Sequence, residues 1–224
     1  MTHHAKRRVF EAFALVAKAL GSGHRLELLE LLAQGERTVE DLSRISGLNF
    51  ANCSQHLQQL KRVGLVDTRR DGRRVYYRLC DHEVVALVGG LRRIAERNLA
   101  EVERVVSDYF RERDSLEPVS RKELVNRMRR GEVTILDVRP AEEFEVGHLP
   151  GALNISVEDL ERRLGDLPPN QEIVAYCRGA YCVFSFQAVD FLRRHGFDAR
   201  RLEEGFPEWK LAGLEVEGEG AATL

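Results

Sequence analysis

In Ile173-Val-Ala-Tyr-Cys177-Arg-Gly-Ala-Tyr-Cys182-Val-Phe184 a β-branched and aromatic run ends on a cysteine. A short glycine-containing loop follows, and an apolar helical pattern begins directly after it with Val183, Phe184, Phe186, Ala188, Phe191 and Leu192. A thiol between a strand end and a helix start lies near unpaired backbone N–H groups and the positive end of the helix dipole. That setting favours the thiolate and makes a nucleophile. The same position also suits a small residue buried at a strand end, and both readings stand at this point.

The elements around this loop alternate. Ser120-Arg-Lys-Glu123 starts a helix to Arg130 that stops at Gly131, and Thr134–Val138 is a short buried strand. A polar helical turn follows at Glu142–Val146, then a strand at Leu153–Ile155 and a helix from Ser156 to Leu164. Strand Glu172–Tyr176, helix Val183–His195, strand Ala199–Leu202 and a short helix from Gly205 complete the pattern. Alternating strands and helices predict a parallel α/β sheet, with Cys177 at the carboxyl end of a strand, where such sheets place their sites.

The first half is organised differently. Helical spacing joins Val9, Phe10, Phe13, Val16, Ala17 and Leu20; a second helix carries Leu26 to Leu32, and Thr38-Val-Glu-Asp41 opens a third. Gly47 breaks that helix, and Asn49 caps a fourth, Phe50 to about Val63, with Phe50, Cys53, Leu57 and Leu60 inward. A hairpin follows: Gly64–Arg70, the turn dipeptide Asp71-Gly72, then Arg73–Leu79. Two short helices about a glycine turn, followed by a basic hairpin, form a winged helix-turn-helix. Such a fold reads DNA with its helix in the major groove and grips the backbone with its wing. The outward residues Asn49, Asn52, Ser54, Gln55, Gln58 and Lys61 suit base edges, and Arg69, Arg70, Arg73 and Arg74 suit phosphate. Asp81 to Arg113 reads as one long helix with an apolar stripe from Val84 to Phe110, interrupted by Gly89-Gly90. A stripe that long predicts a homodimer through this helix and the N-terminal one.

Charge follows the same division. Residues 1–115 hold 20 Lys+Arg against 16 Asp+Glu, and residues 116–224 hold 14 against 20, under a net charge of -2. Seven basic residues fall between Lys61 and Arg78 against Asp67 and Asp71. The two halves therefore meet different partners. Four cysteines in 224 residues, two of them in one loop, do not form a secreted disulfide framework. The apolar run Val9–Leu20 is interrupted by Glu11 and Lys18, so neither a signal peptide nor a membrane span is expected, and the location is cytoplasmic.

Leu20-Gly-Ser-Gly-His-Arg25, Leu28-Leu-Glu-Leu-Leu32, Ser54-Gln-His-Leu57, Leu60-Lys61, Gly64-Leu-Val66 and Gly72-Arg-Arg-Val-Tyr-Tyr77 resemble the ArsR family of bacterial winged-helix repressors over about residues 8–95. The resemblance implies a homodimeric repressor that leaves double-stranded operator DNA when an inducer binds, with Ser54–Leu60 as recognition helix and Asp71–Arg74 as wing. Where metal-sensing members carry a cysteine box, this chain reads Glu36-Arg-Thr-Val-Glu-Asp41, and His82 is the only histidine between Asp81 and Asp114. No metal site and no cofactor is expected, and Cys53 and Cys80 are read as core residues.

In the second half, Asp137-Val-Arg-Pro140, Glu142-Glu-Phe144, Gly147-His-Leu-Pro-Gly-Ala152, the cysteine loop and Leu202-Glu-Glu-Gly-Phe206 with Trp209 resemble a single-domain rhodanese over about residues 118–217. The resemblance implies a persulfide carried on Cys177, surrounded by the backbone N–H groups of Arg178 to Cys182, and a sulfane-sulfur donor as partner. Asp137, Arg139 and His148 then hold the scaffold. Where sulfur-transferring members end the loop with a basic residue, this chain has Cys182, which weakens binding of an anionic donor although Arg178 remains. Cys182 is either a buried residue of the first helical turn or a second thiol able to attack a persulfide or sulfenic acid on Cys177.

The expected architecture is two domains, a mainly-α winged helix-turn-helix (1–115) followed by an α/β rhodanese-like parallel sheet (116–224), joined at Asp114–Pro118. Three functions are compatible: a regulator sensing reactive sulfur or redox state through Cys177, Arg178 and Cys182; a sulfurtransferase with an accessory DNA-binding or dimerisation domain; and a regulator whose second domain is an inert interaction module.

Overall fold

A computed structural model of the chain describes residues 2–106, 108 and 118–218. The fold divides into two compact units, Met1–Val88 and Gly89–Leu224. The boundary expected near residue 115, and the apolar positions Tyr109 and Phe110, lie outside the described residues.

The first unit holds α1 (Thr2–Leu20), α2 (Gly23–Leu32), α3 (Val39–Ser46) and α4 (Phe50–Arg62). Thr38 starts α3 with a reciprocal cap: its Oγ1 accepts from the Asp41 N–H at 3.2 Å, and the Asp41 carboxylate accepts from the Thr38 N–H at 3.4 Å. The Thr38 hydroxyl holds the Asp41 carboxyl below its ordinary range. Gly47 ends α3 at φ 70°, a left-handed conformation that favours glycine. Asn49 starts α4 by accepting from the Asn52 N–H at 2.9 Å. Leu28, Leu42, Leu57 and Leu60 are fully buried with Cys53, each leucine contributing about 1.5–3 kcal/mol. Arg25 ties the end of α1 to α4, donating to the backbone oxygens of Lys18 and Ala19 and to Gln59.

A three-stranded antiparallel sheet, β1 (Arg37–Thr38), β2 (Val66–Asp71) and β3 (Arg74–Leu79), runs in the order β1-β3-β2. The Asp71↔Arg74 pair encloses Gly72-Arg73, so the turn sits one residue later than the expected Asp71-Gly72. Gly72 alone takes a positive φ, 57°, as a two-residue II′ turn requires. Two further expectations are corrected. Phe50 is 54 % exposed, because side chains lean toward the helix N-terminus and the first residue of α4 reaches past the core. Cys80 is exposed, because Tyr77 and Leu79 face inward and alternation turns the next residue out.

The expected long helix is broken. α5 (Glu83–Asn98) runs unbroken through Gly89-Gly90, but Leu99 takes an extended conformation and a separate α6 (Ala100–Val105) begins. The Asn98 amide donates to the Ile94 carbonyl at 2.7 Å, the kind of local bond that ends a helix. Val84 packs in the core of the first unit, whereas Leu87, Leu91 and Ile94 are exposed.

The second unit continues with α7 (Arg121–Arg130), β4 (Val133–Asp137), α8 (Ala141–Val146), β5 (Leu153–Asn154), β6 (Glu172–Tyr176), α9 (Val183–Arg194), β7 (Ala199–Arg201) and α10 (Phe206–Leu211). The sheet is parallel throughout, in the order β5-β4-β6-β7. The chain reverses direction of winding between β4 and β6, so the carboxyl ends of these two buried strands flank the switch point. The helix expected from Ser156 to Leu164 is two 3-10 turns, Val157–Asp159 and Leu164–Asp166. Gly165 and the Pro168-Pro169 pair oppose its extension.

Candidate nucleic-acid interface and cysteine loop

In the first unit, Phe50, Gln58 and Lys61 of α4 face Arg70, Arg73 and Arg74 of the hairpin across a concave groove of about 780 Å³. Phe50, Ser54, Gln58 and Lys61 share one stripe of α4 by their i, i+4, i+8 and i+11 spacing. Asn49, Asn52 and Gln55 are exposed beside them, and Ser54 is half-buried. Lys61 Nζ donates to Thr68 Oγ1 at 2.5 Å, fixing the helix end against β2. The groove is lined on α3 by Glu40 and Asp41, so its positive charge belongs to the wing and the end of α4. Strand alternation turns Arg69 away from Arg70. Its guanidinium pairs with Glu36 at 2.7 Å and lies over the Tyr76 ring. All ten expected DNA-facing side chains therefore lie on the helix or wing surface, with Arg69, 45 % exposed, engaged by Glu36.

In the second unit, β6 delivers Cys177 into the core at 1 % exposure, at the switch point. Phe206 N–H donates to its carbonyl at 3.1 Å. Cys182 is the N-cap of α9, half-buried, with its N–H donating to the Gly179 carbonyl at 3.2 Å. The two cysteines are joined as a disulfide with their Cα atoms 6.2 Å apart. Cys182 thus precedes the first turn of α9 rather than being buried within it, and its sulfur faces Cys177. The N-terminus of the twelve-residue α9 lowers the cost of a thiolate there once the bond is reduced.

Arg178 does not point its charge at an open site. Its Nε and Nη2 bind the Glu143 carboxylate at 2.7–3.1 Å, with the two side chains 11 % and 1 % exposed. The guanidinium also lies 5.5 Å from the Phe184 ring centroid. Gly205 explains the rest of the loop shape: a Cβ there would overlap the Arg178 carbonyl and the Gly179 nitrogen. Asp137 and Arg139 form a fully buried pair, and Arg139 Nη2 also donates to the Gly147 carbonyl at 2.7 Å. His148 stacks on Phe144 with ring centroids 3.6 Å apart and bonds the Phe144 carbonyl at 2.8 Å. These three residues bind other parts of the scaffold.

Known proteins resemble both units. The family described as bacterial regulatory protein, arsR family, matches residues 22–68, and that described as rhodanese-like domain matches residues 120–212. The HTH-type transcriptional regulator Rv0324 of Mycobacterium tuberculosis is 44 % identical over 216 residues, which is 96 % of this chain and 94 % of that protein. The chain is an ArsR-family transcriptional regulator carrying a rhodanese-like domain. Over 80 residues this ArsR-family chain is also 38 % identical to the transcriptional activator HlyU of Vibrio cholerae, covering 36 % of the chain and 74 % of HlyU. A solution structure of the homodimeric winged helix-turn-helix fragment of Mb0332 from Mycobacterium bovis is 42 % identical, covering 42 % of this chain and 87 % of the fragment, with a TM-score of 0.40.

Within the ArsR-family unit, among the described residues, no group of three or more His, Cys, Asp or Glu is placed to hold a metal ion, and the same is true of the rhodanese-like unit. No described helix is long and apolar enough to cross a membrane. Sequence reasoning missed Glu143, Gly205 and Tyr181. Glu143 sits in a stretch read as a polar helical turn, and Gly205 in one that pointed to a helix start. Only the fold brings both against the cysteine loop.

Proposed function

We propose that this regulator is a homodimeric repressor whose hold on double-stranded operator DNA is set by the sulfur chemistry of Cys177 and Cys182. The observation that carries the reading is the pairing of the two cysteines at the switch point of a rhodanese-like sheet. The same chain presents a helix and wing suited to DNA. Residues 1–115 are the DNA-binding and dimerisation part and residues 116–224 the sulfur-reactive part. Asn49, Asn52, Ser54, Gln55, Gln58 and Lys61 meet base edges and backbone; Arg70, Arg73 and Arg74 meet phosphate, and Arg69 supports the wing.

The chemistry balances with a sulfane-sulfur donor as oxidant. The Cys177 thiolate attacks the outer sulfur of a persulfide or polysulfide; that S–S bond breaks, the donor leaves as a thiolate, and Cys177 carries the sulfane sulfur. The Cys182 thiolate then attacks Cys177 Sγ and expels hydrosulfide, leaving the Cys177–Cys182 disulfide. The Arg178–Glu143 pair supports this reading over steady turnover of thiosulfate, because the loop's own cation is already bound by a buried carboxylate.

Dimerisation is supported by apolar side chains left in solvent. Val9, Phe10 and Phe13 on α1 are 50–62 % exposed, and Leu87, Leu91 and Ile94 on α5 fall at i, i+4 and i+7. A two-fold dimer sets its recognition helices about 34 Å apart, matching a palindromic site. Thiosulfate:cyanide turnover tests the enzymatic alternative. A rate no greater than that of free cysteine supports the regulator, and a Cys177-dependent rate far above it contradicts it.

A further inference from the structure

The cysteine loop has a second set of contacts inside the Gly89–Leu224 unit, and none of them serves sulfur chemistry. We infer that Glu96 and Arg92 on α5 are the positioning residues through which the state of the loop is passed to that helix. The inference rests on the sulfur-responsive reading above.

Tyr181 lies in the loop beside Cys182, and its hydroxyl donates to Glu96 Oε1 at 2.7 Å. Burial, then the hydrogen bond to Glu96 and the charge of that carboxylate, push the phenol up to about 12. Tyr181 therefore remains a neutral donor at any pH at which the fold operates. Arg92, one helical turn before Glu96, approaches the same carboxylate at 3.4 Å and reaches Glu208 Oε1 at 3.2 Å. The other oxygen of Glu208 accepts from the Gly205 N–H at 3.1 Å, and Gly205 is the residue pressed against the backbone of Arg178 and Gly179. The loop is thus gripped near both of its ends by two neighbouring side chains of one helix. One grip runs directly through Tyr181, the other through Glu208 and Gly205.

These grips are sensitive to the cysteines. Four residues separate Cys177 from Cys182, and the disulfide closes them into a small ring that fixes where Tyr181 stands. With the ring open, as in the reduced protein, the two sulfurs must separate from a bond of about 2 Å to a non-bonded contact of about 3.5 Å or more, beside a residue that is almost completely buried. Loop backbone from Arg178 to Tyr181 has to move, and a 2.7 Å hydrogen bond does not survive a shift of that size. Arg92 and Glu208 are 22 % and 18 % exposed, so their pairing is only partly screened. α5 is one unbroken helix whose Val84 belongs to the leucine core of the first unit. A change at Glu96 therefore reaches an element that the DNA-binding unit also uses.

The test uses full-length wild type, Tyr181→Phe and Glu96→Gln, each reduced or treated with sodium tetrasulfide. Intact mass reports sulfur loading and disulfide formation. Fluorescence anisotropy reports affinity for a labelled duplex selected from a random pool by the reduced wild type. The expected result is equal sulfur chemistry in all three proteins and equal affinity when reduced. Wild type then shows a tetrasulfide shift of about 5–150-fold, whereas the variants shift by less than about twofold. Variants that load sulfur and keep the full wild-type shift overturn the inference and leave the sulfur-responsive reading standing. A wild type that loads sulfur with no shift overturns that reading and takes the inference with it.

Discussion

Replacing Glu143 with glutamine should weaken the rhodanese-like domain and change what its loop accepts. Glu143 is 1 % exposed and Arg178 11 %, with bonds of 2.7–3.1 Å between them. At about 3 Å and an effective dielectric near 20, the attraction is about 5 kcal/mol. Removing one partner of a buried pair costs about 3–5 kcal/mol, because the remaining charge stays desolvated. Glutamine keeps the shape and one acceptor oxygen, so the lower end, about 3 kcal/mol, is expected. For a domain of this size that lowers Tm by roughly 12–24 °C. Trp209 is the only tryptophan in the chain and is buried in this unit. Its fluorescence therefore reports the rhodanese-like unit, and urea titration gives that unit's stability within the intact chain. With Glu143 neutral, Arg178 gains affinity for an anionic donor, and thiosulfate loading of the reduced protein should rise. A Trp209 midpoint that changes stability by less than about 1 kcal/mol refutes the buried-pair argument. Destabilisation with no gain in thiosulfate loading refutes the selectivity argument alone, since the loop's selectivity then has another source.

Gly205→Ala should displace Arg178 and Gly179 and cost about 1–3 kcal/mol by overpacking, read from the same Trp209 titration. Thr38→Ala removes the α3 cap and should cost about 1 kcal/mol at neutral pH. Because Thr38 holds the Asp41 carboxyl below the usual carboxylate range, its contribution is present above that range and lost as pH falls through the folded value. The gap between wild type and variant, followed by circular dichroism, should therefore narrow on acidification through it. Arg73→Ala should weaken DNA binding across sequences and reduce the slope of log K against log salt by about 0.9 for each phosphate no longer neutralised. Phe13→Glu should shift the protein from dimer to monomer in light scattering; an unchanged dimer places the interface elsewhere.

The parts of this fold that were legible in sequence are those encoded locally. Caps at Thr38 and Asn49, the glycine at 47, and leucines at helical spacing each concern a few consecutive residues, and the structure places them as expected. Cys177 was legible because a strand, a loop and a helix follow one another without interruption. The two-residue β1 is too short to show a period, and its pairing with β3 joins residues forty apart, Arg37 and Tyr77. Phe50 fits the apolar stripe of α4, but only the position of the helix end shows that it overshoots the core. The Leu99 break stands among residues that fit a helix, and turns on the Asn98 side chain capping the turn before it. Arg178 with Glu143 and Tyr181 with Glu96 are separated by 35 and 85 residues. Nothing periodic marks such pairs, so the loop's electrostatics and its link to α5 emerge only from tertiary structure.

Operator affinity measured on the same samples whose Cys177 and Cys182 state is read by intact mass tests the central claim most directly. Reduced protein should bind the selected duplex, and protein converted by tetrasulfide to the species lighter by two hydrogens should release it, with Cys177→Ser bound under both conditions. Equal affinity of the reduced and fully converted wild-type protein for that duplex would contradict the account.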